Sequence, residues 1–552
     1  MTLLASVSLP GTPACALDVA VPWVHGDYLQ GKGYSGSGVE IGVIDAYLAD
    51  GSHPAISGNY LGFEKVVPGP SLTGFHATEV VGTAVSQDPV YTGVAPGAGW
   101  WTVQTATRQM KTSLPYQTTA GEMLAQGLGN LQGNPVEVIT MSIGTSGLSN
   151  AMDQWSLALD HIAGANGKVI TVAAGNGGPG AGTVTGLPPG AYNVITVGAT
   201  GGSGQYISED YSQLAVYSSR GPTADGRCKP DIVAPGSLVH LPSLQGGWAD
   251  VSGTSFATPL VAGGAAALIG MGLDLGYSVD PKIIKSVLLN SAEKLPGWYA
   301  QPTRPLDLAQ GAGQMNLEKA YRQYLSGQQG PGTVRSVGWD IGEVPWDGQS
   351  LYGINMDVPA GQIISATLAW DRAVSTNSED IEKVVYTLDH LYNLDLYLYE
   401  AEDLTAPVAM SVSLVDNVEH VYCAAPETGR YVIGVDMAGA AAGEDETYGL
   451  SWHLLPELFR QPGDANLDDA VDMADLGLLA GNWQHLVTGG PNDADFNTNG
   501  LVDFGDLTVL AANWGWSKPL GGAPVPEPAT LSLLVVGGLV MPRLRTSVRH
   551  IR

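Results

Sequence analysis

Between about residues 22 and 325, short Val/Ile-rich runs alternate with longer stretches rich in Ala, Gly and Leu. Residues 39–44, 136–141, 169–174 and 194–197 are apolar almost without interruption and read as buried strands. Residues 78–85 and 255–271 read as helices. This alternation predicts an α/β three-layer unit, a parallel sheet covered by helices on both faces. From about 330 to 455 the period shortens to two: Leu394, Leu396 and Leu398 alternate with Asp395, Tyr397 and Tyr399. An antiparallel β-sandwich is expected there. Residues 463–516 contain an internal repeat, and 517–524 form a Gly/Pro-containing linker. The expected organisation is a lead-in (1–21), the α/β unit (22–325), the sandwich (330–455), a small two-loop helical module (460–516), the linker (517–524) and a terminal segment (525–552).

Charge narrows the possible partners. The 552 residues carry 24 Lys+Arg against 53 Asp+Glu, a net charge of −29. Such a surface repels phosphate backbones, so nucleic acid is not an expected partner, whereas divalent cations are. Three cysteines (Cys15, Cys228, Cys423) form no Cys-x-x-Cys and cannot make a disulfide framework.

Gly253-Thr254-Ser255-Phe256-Ala257-Thr258-Pro259 is the sharpest motif. It places a serine at the start of a long small-residue helix, with Pro259 expected in the first turn. The helix N-terminus would aim N–H groups and positive dipole at whatever Ser255 attacks. His76 begins a predicted helix, and Asp45 ends a predicted buried strand, where open α/β sheets build their sites. Each residue alone has an ordinary structural explanation, as a cap, a core histidine or a turn.

In the order Asp45, His76, Ser255 they resemble the catalytic triad of the subtilisin-like serine peptidases. The resemblance covers roughly residues 22–325. Gly93–Ala98 resembles the family's strand-entry turn and Lys229–Gly236 its post-core loop. Met141-Ser142-Ile143-Gly144 resembles its substrate-binding strand and Ala173-Ala174-Gly175-Asn176 its oxyanion segment. The resemblance implies a serine endopeptidase acting through an acyl-enzyme. His76 would be the base, Asp45 would orient it, and Asn176 and the Ser255 N–H would hold the oxyanion. Ser142, Ile143 and Gly144, with Ala173, Ala174 and Gly175, would line an extended protein or peptide substrate. Three departures stand out. Ala46-Tyr47 replaces the usual Ser/Thr-Gly, Ala77 replaces a Gly, and Glu79 replaces a frequent second His. They motivate an alternative, a catalytically impaired member that binds peptide or serves as a dockerin-mediated scaffold component. The sandwich is similar to modules of jelly-roll type that follow such catalytic units.

The repeat has its own chemistry. Asp464, Asn466, Asp468, Asp472 and Asp475 occupy positions 1, 3, 5, 9 and 12 of a twelve-residue loop, with the Ala470 carbonyl at position 7. Asp495, Asn497, Asn499, Leu501 (carbonyl), Asp503 and Asp506 repeat the pattern 31 residues on, and the copies share ten of 20 aligned residues. Hard oxygen ligands at this spacing suit Ca²⁺ in the EF-hand manner. Asp469 stands at position 6, where a Gly normally permits the turn, so the first loop is the less regular one. The pair resembles a dockerin domain, which implies two Ca²⁺ and docking onto a cohesin module, with stiffening of the stalk ahead of the C-terminal segment as the other role open to it. A further Ca²⁺ in the α/β unit is left open, and no organic cofactor is expected.

At the end, Pro526-Glu527-Pro528 precedes thirteen uncharged residues (529–541) and then Arg543, Arg545, Arg549 and Arg552. Thirteen is short of the ~20 residues that span a bilayer as a relaxed helix. The arrangement resembles a PEP-CTERM sorting signal. That implies exosortase-type machinery and a secreted or cell-envelope protein whose C-terminal hydrophobic helix is anchored in the membrane transiently. The start lacks a basic region ahead of its apolar patches, and a natural start further upstream is expected.

Overall fold

The computed structural model describes residues 17–108, 114–127, 131, 133–144, 147, 149–186, 188–203, 206–208, 210–346, 348–378, 384–438, 444–455, 465, 471–485, 494 and 501–515. Contacts divide the chain into two units, Met1–Leu458 and Phe459–Arg552.

Two short helices, α1 (Leu17–Trp23) and α2 (Gly26–Gly31), lead into the first strands, β1 (Glu40–Asp45), β2 (Tyr60–Lys65) and β3 (Gly99–Gln104). Helix α3 (Phe75–Val85) lies between β2 and β3. Then come α4 (Leu114–Gln126), β4 (Val138–Met141), α5 (Gln154–Gly164), β5 (Val169–Ala173) and β6 (Ile195–Thr200). The small pair β7 (Gly202–Ser203) and β8 (Tyr206–Ile207) precedes β9 (Ile232–Pro235) and the hairpin β10 (Val239–Pro242) and β11 (Trp248–Val251). Helices α6 (Thr254–Leu275), α7 (Pro281–Asn290) and α8 (Leu317–Leu325) complete this part. Seven strands form one parallel sheet in the order β2-β3-β1-β4-β5-β6-β9. The chain reverses its direction of growth at β1, which puts the carboxyl ends of β1 and β4 side by side at a crevice.

Burial explains the sequence pattern. In β1 every residue after Glu40 is buried, as expected of a strand covered on both faces. Helix α6 runs 22 residues and is buried along almost its whole length. Its small residues let neighbours close in: a Cβ on Gly263 would lie 2.8 Å from Val94 Cβ, and one on Gly264 2.9 Å from Leu317 Cδ2. Among the described residues α6 is the one helix long and apolar enough to cross a bilayer, and it lies inside the core.

The following strands are β12 (Gly332–Val334), β13 (Val337–Val344), β14 (Gln349–Ile354), β15 (Ile363–Trp370), β16 (Ala373–Thr376), β17 (Tyr386–His390), β18 (Leu394–Glu400), β19 (Asp403–Ser411), β20 (Val418–Ala424), β21 (Tyr431–Met437) and β22 (Glu446–Leu455). They form sheets ordered β12-β14-β21-β18-β19 and β13-β22-β15-β20, antiparallel except for the β12–β14 pair, and β16–β17 is a separate hairpin. Residues from both larger sheets, Tyr352, Leu396 and Ile433 with Leu368, Leu450 and Trp452, share one apolar core. Asp395 breaks the simple alternation: it is 6 % exposed and accepts hydrogen bonds from Tyr397 Oη (3.0 Å) and Asn393 Nδ2 (3.3 Å).

These sheets are joined to the α/β part by buried polar contacts. Asn290 Oδ1, at the end of α7, accepts from Ser365 Oγ (2.7 Å) and Thr367 Oγ1 (3.0 Å) of β15. Arg372 pairs with Asp160 of α5 in a fully buried contact. The Cys228 N–H donates to Asp416 Oδ1 at 2.7 Å.

In the second unit, α9 (Met473–Gly481) and α10 (Phe504–Ala512) begin alike. Asp472 and Asp503 cap them by accepting from the Ala474 and Gly505 N–H groups, each at 2.7 Å. Asp475 and Asp506 reach back to the Asp472 and Asp503 N–H groups, completing capping boxes.

Candidate active site

Asp45 ends β1. Its carbonyl accepts the Thr105 N–H (3.0 Å) and Oγ1–H (2.8 Å), which holds the residue at the carboxyl end of the sheet. Its Oδ1 accepts the Ala46 N–H at 2.6 Å, and its Oδ2 lies 2.7 Å from His76 Nδ1. Replacing the family's Ser/Thr by Ala46 therefore leaves the acid its neighbouring backbone donor. Tyr47 packs beside Gly74, where an added Cβ would sit 3.0 Å from Tyr47 Cβ. Ala77 is fully buried, so its methyl is absorbed by the core.

His76 is the second residue of α3, and its ring lies 5.7 Å from that of Phe256. Burial disfavours its charged form. The hydrogen bond and charge of Asp45, then the charge of Glu79, outweigh burial and hold its pKa above the ordinary histidine value. With Nδ1–H directed to Asp45, the Nε2 lone pair is available, and no described residue hydrogen-bonds it.

Ser255 is the second residue of α6. Its Oγ donates to the Ser142 carbonyl at 3.3 Å, and Ser142 Oγ donates to the Ser255 carbonyl at 2.7 Å. Pro259 explains the second bond. It is the sixth residue of the helix rather than a first-turn residue as expected. Its missing N–H therefore leaves the Ser255 carbonyl without the usual i+4 donor, and Ser142 supplies one.

The segment after β5 is fastened to the residue before the serine. Asn176 Oδ1 accepts the Thr254 N–H (2.9 Å) and Oγ1–H (3.1 Å), and the Gly175 N–H donates to Thr254 Oγ1 at 3.2 Å. Gly175 takes φ 103°, a left-handed conformation suited to glycine. These bonds occupy the amide oxygen of Asn176 and leave its Nδ2 as a donor. Ala173 is half-buried, and Ala174 is fully buried with its N–H bonded to the Val197 carbonyl. A cavity of about 450 Å³ is lined by Asp45, His76, Ser142, Ile143 and Gly144, with Tyr47 and Phe75 among its walls.

The structure thus gathers Asp45, His76, Ser142–Gly144, Asn176 and Ser255 at the carboxyl end of the sheet. Ser255 Oγ is turned to Ser142 rather than to His76. Thr254 and Phe75 are site residues that the sequence motifs do not mark, though each adjoins one that they do. Of the Ca²⁺-loop positions, Asp472, Asp475, Leu501, Asp503 and Asp506 are described. Asp464, Asn466, Asp468, Ala470, Asp495, Asn497 and Asn499 lie outside the described residues, as does the 525–552 segment. Among the described residues no group of three or more His, Cys, Asp or Glu is placed to hold a metal ion.

Comparison with known proteins agrees with this geometry. The model of the subtilase family, peptidase S8, matches residues 36–333, just over half of the chain. Pyrolysin of Pyrococcus furiosus is 35% identical over 261 residues, which cover 43% of this chain and 18% of pyrolysin. Serine protease AprX of Bacillus subtilis is 30% identical over 329 residues, 55% of this chain and 71% of AprX. Subtilisin Savinase of Lederbergia lenta is 30% identical over 256 residues, 45% of this chain and 83% of that protein. The matched span contains the strand-end acid, the helix-start histidine and the serine at the head of the buried helix, and on this ground the chain belongs to the subtilase family of serine endopeptidases.

Proposed function

We propose that this chain hydrolyses peptide bonds in protein or peptide substrates, with Ser255 as nucleophile, His76 as general base and acid, and Asp45 as the group that orients it. The 2.7 Å Asp45–His76 contact, at the carboxyl end of the sheet where Ser142 also holds Ser255, carries the proposal. The Asp45 carboxylate keeps the proton on Nδ1, so Nε2 can take the Ser255 proton once Oγ turns from Ser142. The alkoxide attacks the scissile carbonyl, and the oxyanion is met by Asn176 Nδ2 and the Ser255 N–H. His76 then protonates the leaving amine. Water hydrolyses the acyl-enzyme by the same relay in reverse. An extended substrate lies along Ser142–Gly144, with Ala173–Gly175 facing it, and is recognised through its main chain. The names of pyrolysin, AprX and Subtilisin Savinase support this reading. The impaired-enzyme alternative draws on Ala46, Tyr47 and Ala77, yet the Asp45 hydrogen bonds and the buried Ala77 methyl give it no support. A fluorophosphonate probe should label wild-type protein and leave Ser255→Ala unlabelled. Folded wild-type protein that resists labelling overturns the assignment.

We further propose that the second unit binds two Ca²⁺ and docks onto a cohesin module, and that the chain is exported and sorted to the envelope through its C-terminal segment. The repeated loops support the first part. So do Asp475 and Asp506, carboxylates fully buried at the heads of their helices, the hard oxygen chemistry Ca²⁺ requires. Calorimetry on full-length Ser255→Ala protein should find two Ca²⁺ at residues 464–506, one lost on Asp506→Ala. Mass spectrometry of protein from cells should show the segment after Pro528 removed. An intact tail argues against sorting.

A further inference from the structure

Glu79 is a buried carboxylate that the mechanism above does not use. It lies three residues after His76 on α3, a spacing that puts both on one helix face, and is 7 % exposed. Its Oε1 accepts a hydrogen bond from Ser243 Oγ at 3.0 Å. Ser243 follows β10 directly, in the turn of a hairpin that is itself tied down. The Gln245 N–H donates to Asp50 Oδ2 (3.2 Å), and His53 Nε2 lies 3.0 Å from the Gly247 carbonyl. The carboxylate is therefore held in place by a donor from a separate element.

The charges around the pair are few. From β1 comes Asp45, bonded to Nδ1 of His76. Strand β3 carries no charged residue, and α6 brings Phe256. The loop bonded to Thr78 of α3 carries Asp50 and His53, both engaged by the turn after β10. Strand β10 carries His240, which is turned to Asp250 at 2.7 Å and stacked on Trp248. Asp45 and Glu79 are thus the two anions acting on the His76 ring, and both favour its charged form against burial. Burial, joined by the Asp45 charge, raises the Glu79 pKa above the ordinary value, opposed by the Ser243 hydrogen bond and the His76 charge, which favour its ionised form.

We propose that Glu79, anchored by Ser243, is a positioning residue for the His76 base, giving the imidazolium a second counter-charge beside Asp45. This rests on the proteolytic reading above and adds a residue to it. During the attack step His76 becomes cationic at a half-buried position. A fixed neighbouring carboxylate lowers the cost of that charge, and it also keeps the base protonated to higher pH in the resting enzyme.

The test is the pH dependence of fluorophosphonate labelling of Ser255 in the full-length protein, which reports the fraction of neutral His76. Removing the Glu79 charge destabilises the imidazolium, so the midpoint of Glu79→Gln should move to lower pH by about threefold or more in proton concentration. Ser243→Ala should move it in the same direction, because the carboxylate loses a hydrogen bond that favours its ionised form. Glu79→Asp keeps the charge and should restore a midpoint close to wild type. A Glu79→Gln midpoint coincident with wild type, even at a reduced maximal rate, makes Glu79 merely structural and overturns the proposal. If Glu79→Gln does not fold, Ser243→Ala decides on the same criterion. Wild-type protein unlabelled at every pH overturns the proteolytic reading itself, an outcome distinct from coincident midpoints.

Discussion

Asp45→Asn tests the relay most directly because the substitution barely changes shape. Asp45 is 3 % exposed and uses both carboxylate oxygens, Oδ1 for the Ala46 N–H and Oδ2 for His76 Nδ1. An asparagine satisfies the Ala46 N–H with its one carbonyl oxygen. Its NH₂ group then faces Nδ1, and a donor there selects the tautomer with the proton on Nε2. That nitrogen can no longer accept from Ser255. The counter-charge for the imidazolium is lost in the same step. Tautomer and charge together cost about 10⁴-fold in kcat, roughly 5 kcal/mol of transition-state stabilisation. The assay is casein or chromogenic-peptide turnover on protein whose circular dichroism and Tm match wild type. Because binding of an extended substrate does not involve Asp45, KM should stay within about threefold. A loss of less than tenfold in kcat would show that His76 does not depend on Asp45, and the relay as built here would be wrong.

Three further outcomes follow from named contacts. Asn176→Ala should lower kcat by roughly 10²–10³-fold with little change in KM, the range that one oxyanion donor of this family carries; a fall in KM-dependent binding alone would contradict the role given to Nδ2. Thr254→Val removes the hydroxyl that bonds both Asn176 and Gly175, so kcat should drop by about tenfold through a loosened amide, while Thr254→Ser should stay near wild type. Asn290→Ala, remote from the cavity, strips the shared acceptor from the buried Ser365 and Thr367 hydroxyls. It should lower stability by about 2–4 kcal/mol in denaturant unfolding, with kcat/KM of the remaining folded protein unchanged.

The catalytic candidates were legible because each sits in a short motif. Local order alone places Asp45 at the end of an apolar run, His76 at a helix start, and Ser255 at the head of a small-residue helix. Strand β9 (Ile232–Pro235) is wholly apolar but only four residues long and lies within the segment expected as a loop, whereas β3 carries polar residues in its buried run. Gln104 in β3 is fully buried because its side chain accepts the Leu72 N–H (2.9 Å) and donates to the Ala106 carbonyl (2.7 Å). No periodicity reveals a polar group whose partners are supplied by the fold. The same holds for Asp395 and for the Arg372–Asp160 pair that helps join the later sheets to the α/β part.

What the linear chain decides here is chemistry and order: an acid, a base and a nucleophile in sequence, an apolar framework for a parallel sheet, and repeated oxygen-rich loops. Only the tertiary structure decides how those groups are held. The bonds from Ser142 to Ser255, from Thr254 to Asn176 and from Ser243 to Glu79 join residues 113, 78 and 164 positions apart. Hydrogen bonds depend on distance and direction in space, and those are set by which strands lie adjacent in the sheet and which loops meet at its edge.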